Sequence, residues 1–562
     1  MRAMKSIAVL VVLSAAAQPK GTAPFSVVEA TIPEMQAAMK EGRVTSRGLT
    51  LLHLARIALY EDRLNAVVAI NPRALEQAEE RDRERAEGRV RGPLHGIPVA
   101  LKDNIHTTDI PTTGGALAFE GFHPPHDATL TKNLREAGAV IIAKTCLTEL
   151  ANWVASGMPG NYNAVAGYGM NPYDPRRDPR EATADGRPVL STGGSSSGIG
   201  TAASFWAANV GTETSGSILS PTNQNMLAAV KPTVGRVSRY GVIPITADQD
   251  TAGPMARTVT DAAILLGVLE SASPDPNDPA TTRCTPPPGR DYTRFLEANA
   301  LQGARIGIPR AFYYDKLTPP AEKEARGGLD ADRSRVMEEA IAVLRERGAV
   351  VVDPVEIPSI ASTEASSNFL TWGMCGGLEN AKGKDAGCSV VLKYGMKRDF
   401  NLWLASLGPS TPVKTLTELR LWNVAHQKGG AIKYGQAQLD ISDEMDVALD
   451  RTRYQADREK DLLLSGTQGI DAVMKEHSLD ALLFPGASGA SLAARPGYPT
   501  VMVPFGFAPN APTPAFPEGF DPKPAPLGVS FTGMACSEPR LLALGYAFEQ
   551  ATRRRAAPNL TQ

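Results

Sequence analysis

Apolar and polar positions alternate along the chain in two patterns, one typical of buried strands and one typical of helices. Short apolar runs predict strands at residues 97–101, 140–144, 305–308, 350–352, 481–484, 500–503 and 528–531. Apolar residues at helical spacing predict helices at residues 128–137, 334–347 and 537–551. Strands that alternate with helices indicate an α/β fold with a largely covered sheet.

The first part of the chain carries signals for helix starts. Thr31 precedes Pro33 and an acidic residue, which is typical of a capped helix N-terminus. Residues 72–87 are so rich in charge that we expect them to face solvent. Residues 374–436 also read as helical and are a candidate cap or insertion. We expect this segment to lie beside the functional site, within one domain that spans residues 24–555.

The N-terminus has the pattern of a secretory signal peptide. Arg2 and Lys5 precede an apolar run at residues 6–14, and three alanines follow at 15–17. We expect residues 1–17 to be removed near Ala17 and the mature protein to be periplasmic or secreted. A buried N-terminal helix or a retained anchor is the alternative. The run is too short to span a bilayer, so no stable membrane anchor is expected.

The net charge and the cysteine content indicate which ligands and partners the chain is not expected to bind. The formal net charge is −2, and the longest basic cluster is the run of arginines at 553–555, which we interpret as a solvated tail. No nucleic-acid partner is therefore expected. The five cysteines fit no zinc spacing, and neither a metal nor another cofactor is expected. Cys375 and Cys388 bracket a glycine-rich stretch and are the best candidates for a disulfide, with burial as small apolar side chains as the alternative.

Candidate chemistry is concentrated in residues 191–218, which contain two turns rich in glycine and serine. The first turn is GGSSSG at 193–198, the second is TSGS at 214–217, and the alanine-rich run between them has helical composition. Such turns let a backbone approach a ligand and direct N–H groups toward it. Two turns around one short helix could bring two hydroxyl groups to one pocket. The best candidate for a base is Lys102, at the end of the predicted strand 97–101.

Several motifs together resemble the amidase signature family. They are GIPVALKD at 96–103, GGSSSG at 193–198, GTETSGSI at 211–218, KPTVG at 231–235 and QDTAGPM at 249–255. The similarity runs from about residue 32 to residue 549 and is weak between 275 and 464. Within the family, GTET and QDTAGPM resemble the branch that includes bacterial peptide amidases. The resemblance implies an amidase-signature fold, with a central mixed twisted sheet covered by helices on both faces.

The resemblance also implies a Ser-cisSer-Lys triad that acts on an amide carbonyl through an acyl-enzyme. By match, Ser217 is the nucleophile, Ser195 is the bridging serine after a cis peptide bond, and Lys102 is the base. Lysine can accept a proton only when it is neutral, so burial must lower its pKa. Backbone N–H groups of Thr214, Ser215, Gly216 and Ser217 would face the oxyanion.

The chain departs from the family pattern in this region. Ser217 follows Ser195 by 22 positions, two fewer than the family usually has. Two residues lost inside a helix would rotate its far end by about 200°, so we expect the loss to be absorbed at one end. Residues 176–189 form an insertion before the first turn.

We therefore expect an exported hydrolase of carboxamides, such as C-terminal or acyl amides, with a small-molecule or peptide amide as substrate. An esterase with the same triad and a non-catalytic binding protein on the same scaffold are the alternatives. A tRNA-dependent amidotransferase subunit shares the fold, but an exported chain would not meet charged tRNA. His123, His126 and Asp127 offer a histidine-based triad or a metal site as a further alternative.

Overall fold

A computed structural model describes residues 24–561 of the chain. The predicted signal peptide at residues 1–17 lies outside the described residues. Within residues 24–561 no helix is both long and apolar enough to cross a bilayer.

The fold is built on one mixed sheet of eleven strands. In chain order the strands are β1 Val67–Ile70, β2 Pro98–Lys102, β3 Val140–Thr145, β4 Ala208–Glu213, β5 Ala228–Lys231, β6 Thr251–Ala256, β7 Arg305–Gly307, β8 Val350–Val352, β9 Ala481–Pro485, β10 Thr500–Ala508 and β11 Ala525–Thr532. Their order across the sheet is β1-β3-β2-β4-β6-β5-β10-β11-β9-β7-β8. Strands β3, β2 and β4 are mutually parallel, as are β9, β7 and β8, and the remaining neighbours are antiparallel.

Helices flank this sheet. The helices of six or more residues are α1 Ile32–Lys40, α2 Ser46–Leu64, α3 Ala74–Ala86, α4 Thr129–Glu136, α5 Leu219–Gln224, α6 Val259–Leu269, α7 Ala331–Glu346, α8 Val391–Ser406, α9 Leu416–Ala425, α10 Ala437–Asp443, α11 Arg451–Leu462, α12 Asp471–Glu476 and α13 Glu538–Thr552. Shorter helical turns lie at Ile199–Ala202, Pro358–Ala361 and Ala490–Ala494, and a π-helical turn at Leu463–Ile470 joins α11 to α12. The predicted α/β class with a mixed central sheet is confirmed.

The first helices begin where the sequence indicates. The Thr31 side chain accepts the backbone N–H of Glu34, and the Glu34 carboxylate accepts the N–H of Thr31 in return, which caps α1. Thr45 caps α2 by accepting the N–H of Gly48. Two otherwise unpaired N–H groups are satisfied at the start of α1, so its position is set locally.

The segment between the two glycine-serine turns differs from the prediction. Only Ile199–Ala202 is helical, and Ser204 then adopts a left-handed φ of 57°. The chain continues into β4, which is fully buried between β2 and β6. The short helix that the sequence predicts is reduced to this single turn, because residues 208–213 form a strand at the centre of the sheet, where Thr212 contacts Lys102 at the end of β2.

Two disulfides link the cysteines. Cys375 and Cys388 are joined, as the sequence suggested, and the bond closes a short loop beside the helices that follow. Cys284 and Cys536 form a second disulfide across 252 positions, which sequence reasoning missed. Cys146 is free and buried.

Residues 374–436 include α8 and α9, which pack around a separate apolar cluster. Buried members of this cluster include Phe400, Trp403 and Leu419 from the segment, together with Trp153 and Tyr162 from the loop after β3. The Nε1–H of Trp153 donates to Ser442 Oγ in α10 at 2.9 Å. The helical segment thus lies against the loop that leads into the first glycine-serine turn.

Candidate active site

Lys102 lies at the carboxyl end of β2, in the centre of the sheet, and is fully buried. The register of β2 against β4 pairs Leu101 with Val210, which brings Lys102 beside Thr212. Lys102 Nζ is 2.8 Å from Thr212 Oγ1 and 3.2 Å from the Thr212 carbonyl oxygen. Its third contact is Ser195 Oγ, at 3.1 Å. The sheet therefore presents one amine to one serine of the first turn.

The neighbouring serine, Ser196, has a different bonding pattern. Its hydroxyl donates to the Thr212 carbonyl at 2.9 Å and accepts the Thr212 N–H at 3.1 Å. A hydroxyl group has one proton, so Ser196 has none left to donate elsewhere. Ser196 thus fastens the first turn to β4, while Ser195 is the serine that faces Lys102.

Burial changes the protonation of Lys102. Loss of solvent lowers the pKa of Lys102 to about 7, against the opposing effect of the Asp250 and Glu213 charges. Neither carboxylate makes an ion pair with Lys102 in the described chain. A substantial fraction of this amine is consequently neutral near pH 7.

Asp103, the residue after Lys102, does not pair with it. Its side chain points to the other side of the strand, where Oδ1 lies 3.3 Å from Lys144 Nζ and Oδ2 accepts the N–H of Thr113 at 3.2 Å. Asp103 and Lys144 are both fully buried and neutralise each other. Lys102 and Asp103 therefore point to opposite sides, as successive residues at the end of a strand do.

Ser217 lies in the second turn, directly before α5, and is partly exposed. Ser196 N–H donates to the Ser217 carbonyl at 3.1 Å, which joins the two turns. A side chain at Gly194 would come within 3.2 Å of Ser217 Cα. The two predicted serine turns are therefore in contact through their backbones.

The backbone of the second turn offers free donors. Within residues 24–561, no protein acceptor is hydrogen-bonded to the N–H groups of Thr214, Ser215, Gly216 or Ser217. Gly216 has a φ of 98°, a conformation that residues with a side chain rarely adopt. Thr214 Oγ1 donates to Asp250 Oδ1 at 2.5 Å, which fixes the start of the turn. Adjacent free N–H groups of this kind can bind an anionic oxygen.

Glu213 binds the backbone directly after this turn, a contact that sequence reasoning missed. Its Oε2 accepts the N–H groups of Ile218 at 2.8 Å and Leu219 at 2.9 Å, at the start of α5. The residue is buried, and Oε1 has no hydrogen-bond partner in the described chain. The GTET motif could have indicated this contact, because an acidic residue shortly before a helix often stabilises its N-terminus.

The peptide bond before Ser195 differs from the expectation. The cis peptide bonds within residues 24–561 precede Pro354 and Pro514, so the bond before Ser195 is trans. A cis bond before a residue other than proline costs about 2.5–4 kcal/mol. Here the trans bond already brings Ser195 Oγ within 3.1 Å of Lys102 Nζ. The cis geometry that the resemblance implies is wrong for this structure.

The residues of the histidine-based alternative do not form a triad or a metal site in the described chain. His123 Nδ1–H donates to the Thr108 carbonyl at 3.2 Å, and His126 stacks on Tyr240. Asp127 pairs with Arg135 at 2.9 Å. None of the three is hydrogen-bonded to Ser195 or Ser217, and residues 24–561 contain no group of three or more metal-ligating side chains.

Comparison with known proteins gives consistent matches. The sequence model of the family described as Amidase matches residues 48–542. The crystal structure of native peptide amidase from Stenotrophomonas maltophilia superposes with a TM-score of 0.78 at 34% identity, over 96% of this chain and 100% of that chain. An amidase family protein from Bacillus anthracis gives 0.76 at 29% identity, over 95% of this chain and 93% of that chain. A protein of Arabidopsis thaliana named probable amidase is 34% identical over 98% of this chain and 96% of its own length.

Proposed function

The chain belongs to the amidase family, and on that premise we propose that it hydrolyses carboxamides through Ser217, Ser195 and Lys102. Cleavage of a carbon–nitrogen bond in an amide is the reaction of this family. The proposal adds the residues that perform the reaction, the class of amide and the compartment.

One observation carries the assignment of residues. A buried lysine with a pKa of about 7 touches the hydroxyl of one serine, and the turn of that serine touches the turn of another. A neutral amine has two N–H groups and one lone pair. If both N–H groups are donated to the oxygens of Thr212, the lone pair is left for the proton of Ser195. This is the arrangement that a proton relay requires.

The proposed reaction begins with proton transfer. Lys102 takes the proton of Ser195, and Ser195 takes the proton of Ser217 as Ser217 Oγ attacks the amide carbonyl. The carbonyl oxygen becomes negatively charged and accepts hydrogen bonds from the free N–H groups of Thr214 to Ser217. The proton returns through Ser195 to the nitrogen as the carbon–nitrogen bond breaks. Water then hydrolyses the acyl group from Ser217 by the reverse sequence.

The substrate class is proposed from similarity. A protein titled peptide amidase is similar to this chain over almost the whole of both chains. We therefore propose that the substrates are C-terminal amides of peptides or related acyl amides. The same relay would attack esters, so an esterase is the second candidate.

The experiment is a substrate comparison with a matched variant. Amidated peptides, acyl amides, anilides and the corresponding esters are incubated with the wild type and with Ser217→Ala. We expect the amides to be hydrolysed and the variant to lose roughly 10⁴–10⁶-fold in kcat, as when one member of a concerted triad is removed. Hydrolysis of esters alone would favour the second candidate. Wild-type kcat in Ser217→Ala would contradict the assignment.

We propose, in addition, that the mature protein is periplasmic or secreted. Two disulfides support this, because such bonds persist in oxidising compartments and are rare in the cytosol. The N-terminal sequence pattern supports it independently. Protein purified from its native host should begin near Gln18, and recovery of a chain beginning at Met1 would contradict the proposal.

A further inference from the structure

The C-terminal segment packs against the ends of the two helices that follow the glycine-serine turns. Residues 553–561 follow α13, and the sequence predicted the arginines there to be solvated. Arg555 instead has a side chain that is only 12% exposed. The neighbouring Arg554 is 42% exposed and pairs with Glu339 at the surface. The prediction of a solvated tail is therefore wrong for Arg555.

Arg555 uses its guanidinium group to hold three partners. It makes two parallel bonds to the Glu29 carboxylate, at 2.7 Å from Nε and 2.8 Å from Nη2. Nη2 also donates to the Ala202 carbonyl at 3.4 Å, and Nη1 donates to the Met226 carbonyl. Ala202 ends the helical turn that follows Ser195, and Met226 comes shortly after α5, the helix that follows Ser217.

The two helices end alike. A non-glycine residue in the left-handed region follows each one, Ser204 with a φ of 57° and Met226 with a φ of 52°. Phe205 N–H bonds back to the Gly200 carbonyl at 2.8 Å, and Leu227 N–H bonds back to the Thr222 carbonyl at 3.0 Å. The last carbonyls of a helix lack partners within the helix and carry partial negative charge. A positively charged side chain with five N–H donors suits both ends at once.

The other ends of the same helices carry the proposed catalytic serines. There the two segments are joined by the bond from Ser196 N–H to the Ser217 carbonyl, at 3.1 Å. The side chains of Ala202 and Ile218, one from each segment, also share a small buried apolar cluster with Met255. Three contacts therefore connect the two segments: the backbone bond between the turns, the apolar cluster and the bonds of Arg555. Arg555 makes the connection farthest from the serines.

We propose that Arg555 is a positioning residue that sets the separation of Ser195 and Ser217 from the far ends of their helices. This rests on the proposed roles of the two serines. The helix after Ser195 is a single turn with few bonds of its own, and its end is held by Arg56 and Arg257 as well as by Arg555. Of these three, Arg555 is the side chain that also binds the Met226 carbonyl after α5, so it links the positions of the two helices. Misplacement of reacting groups by about 1 Å can cost about 100-fold in rate.

The test compares Arg555→Ala with Arg554→Ala as the control on the exposed neighbour. Hydrolysis of an amidated peptide is followed with thermal unfolding and with the rate of fluorophosphonate labelling. We expect Arg555→Ala to lower kcat about 10- to 100-fold, to change KM less than about twofold, and to slow labelling in proportion. Arg554→Ala should behave as the wild type.

Two further measurements separate positioning from general loss of structure. Millimolar guanidinium ion should partly restore kcat in Arg555→Ala, whereas Arg555→Lys should remain impaired because an ammonium group cannot form the same planar set of bonds. Glu29→Gln, which leaves Arg555 in place, should lower kcat by a smaller factor.

The proposal is overturned if kcat in Arg555→Ala equals the wild-type value. It is also overturned if kcat falls only in proportion to the unfolded fraction and guanidinium restores nothing. If Arg555→Ala does not fold, an unchanged kcat in Glu29→Gln overturns it. Failure of the catalytic assignment is recognised separately, because wild-type protein would then be labelled at a residue other than Ser217.

Discussion

At the residue scale, the reactivity of the site depends on what surrounds Lys102. The amine is completely removed from solvent, which favours its neutral form, while Asp250 and Glu213 favour the charged form. The outcome is a pKa of about 7, low enough for a base at neutral pH. Thr212 supplies both oxygens that orient the amine. The residue type was predictable from the sequence, but the two partners on β4 were not, since part of that segment was expected to be helical.

The pH dependence of activity follows from this pKa. Below about pH 7 the amine of Lys102 is mostly protonated and cannot accept a proton, so kcat/KM should fall about tenfold per pH unit. Above about pH 8 it should reach a plateau. Lys102→Arg should be inactive over the whole range, because guanidinium does not deprotonate. Lys102→Met preserves the apolar stem of the side chain and serves as the control for folding.

The measurement is a profile of kcat/KM between pH 5 and 10 in buffers of constant ionic strength. An acidic optimum, or activity in Lys102→Arg close to that of the wild type, would contradict the role of Lys102 as the base.

At the element scale, α5 is positioned by one carboxylate. Glu213 accepts the N–H groups of Ile218 and Leu219, directly after Ser217. The same negative charge raises the pKa of Lys102. Glu213 therefore affects both the position of the proposed nucleophile, Ser217, and the protonation of the proposed base, Lys102, although it is hydrogen-bonded to neither side chain.

Two substitutions separate these effects. Glu213→Gln keeps an oxygen acceptor but removes the charge, so the acid limb of the pH profile should shift to lower pH because Lys102 loses its proton more readily. Glu213→Asp keeps the charge but shortens the side chain, so kcat should fall, by roughly 5- to 150-fold if about 1–3 kcal/mol of hydrogen bonding is lost. An unchanged profile in Glu213→Gln would contradict the electrostatic part of this account.

The sheet shows how much of the elements could be predicted. Every strand predicted from an apolar run is present, and β2 is offset from its prediction by one residue. A buried strand can be recognised in a sequence because most of its side chains must be apolar. β1, β4, β5 and β6 were not predicted. In β4, Thr212 and Glu213 are polar, and Thr212 binds a partner that only the folded sheet provides. The two glycine-serine turns were predictable from motifs, whereas the trans bond before Ser195 was not.

At the scale of the whole molecule, distant parts of the chain are joined by contacts that carry no local signal. Cys284 meets Cys536, and Arg555 meets Glu29 and the ends of two helices. Such pairings depend on tertiary packing rather than on spacing in the sequence. The close pair Cys375 and Cys388 was predictable because a short loop brings its ends together easily.

The disulfides give a prediction for the whole molecule. Denatured, unreduced protein should contain one titratable thiol, that of Cys146, and reduced protein should contain all five. Closing a loop of about 15 residues stabilises a protein by about 3 kcal/mol, and a loop of about 100 residues by about 4.7 kcal/mol. Replacing Cys284 and Cys536 by serine should therefore lower Tm more than replacing Cys375 and Cys388. Five thiols without reduction, or the opposite order of Tm values, would contradict the pairing.

The identity of the nucleophile is tested most directly by locating a covalent adduct. The wild-type protein is treated with a fluorophosphonate, digested, and sequenced by mass spectrometry, with Ser196→Ala as a control that leaves Ser195 and Ser217 intact. The account predicts one adduct on Ser217, and none in Ser217→Ala. An adduct on Ser195, Ser196 or Ser197, or continued labelling of Ser217→Ala, would contradict the central claim that Ser217 attacks the amide carbonyl.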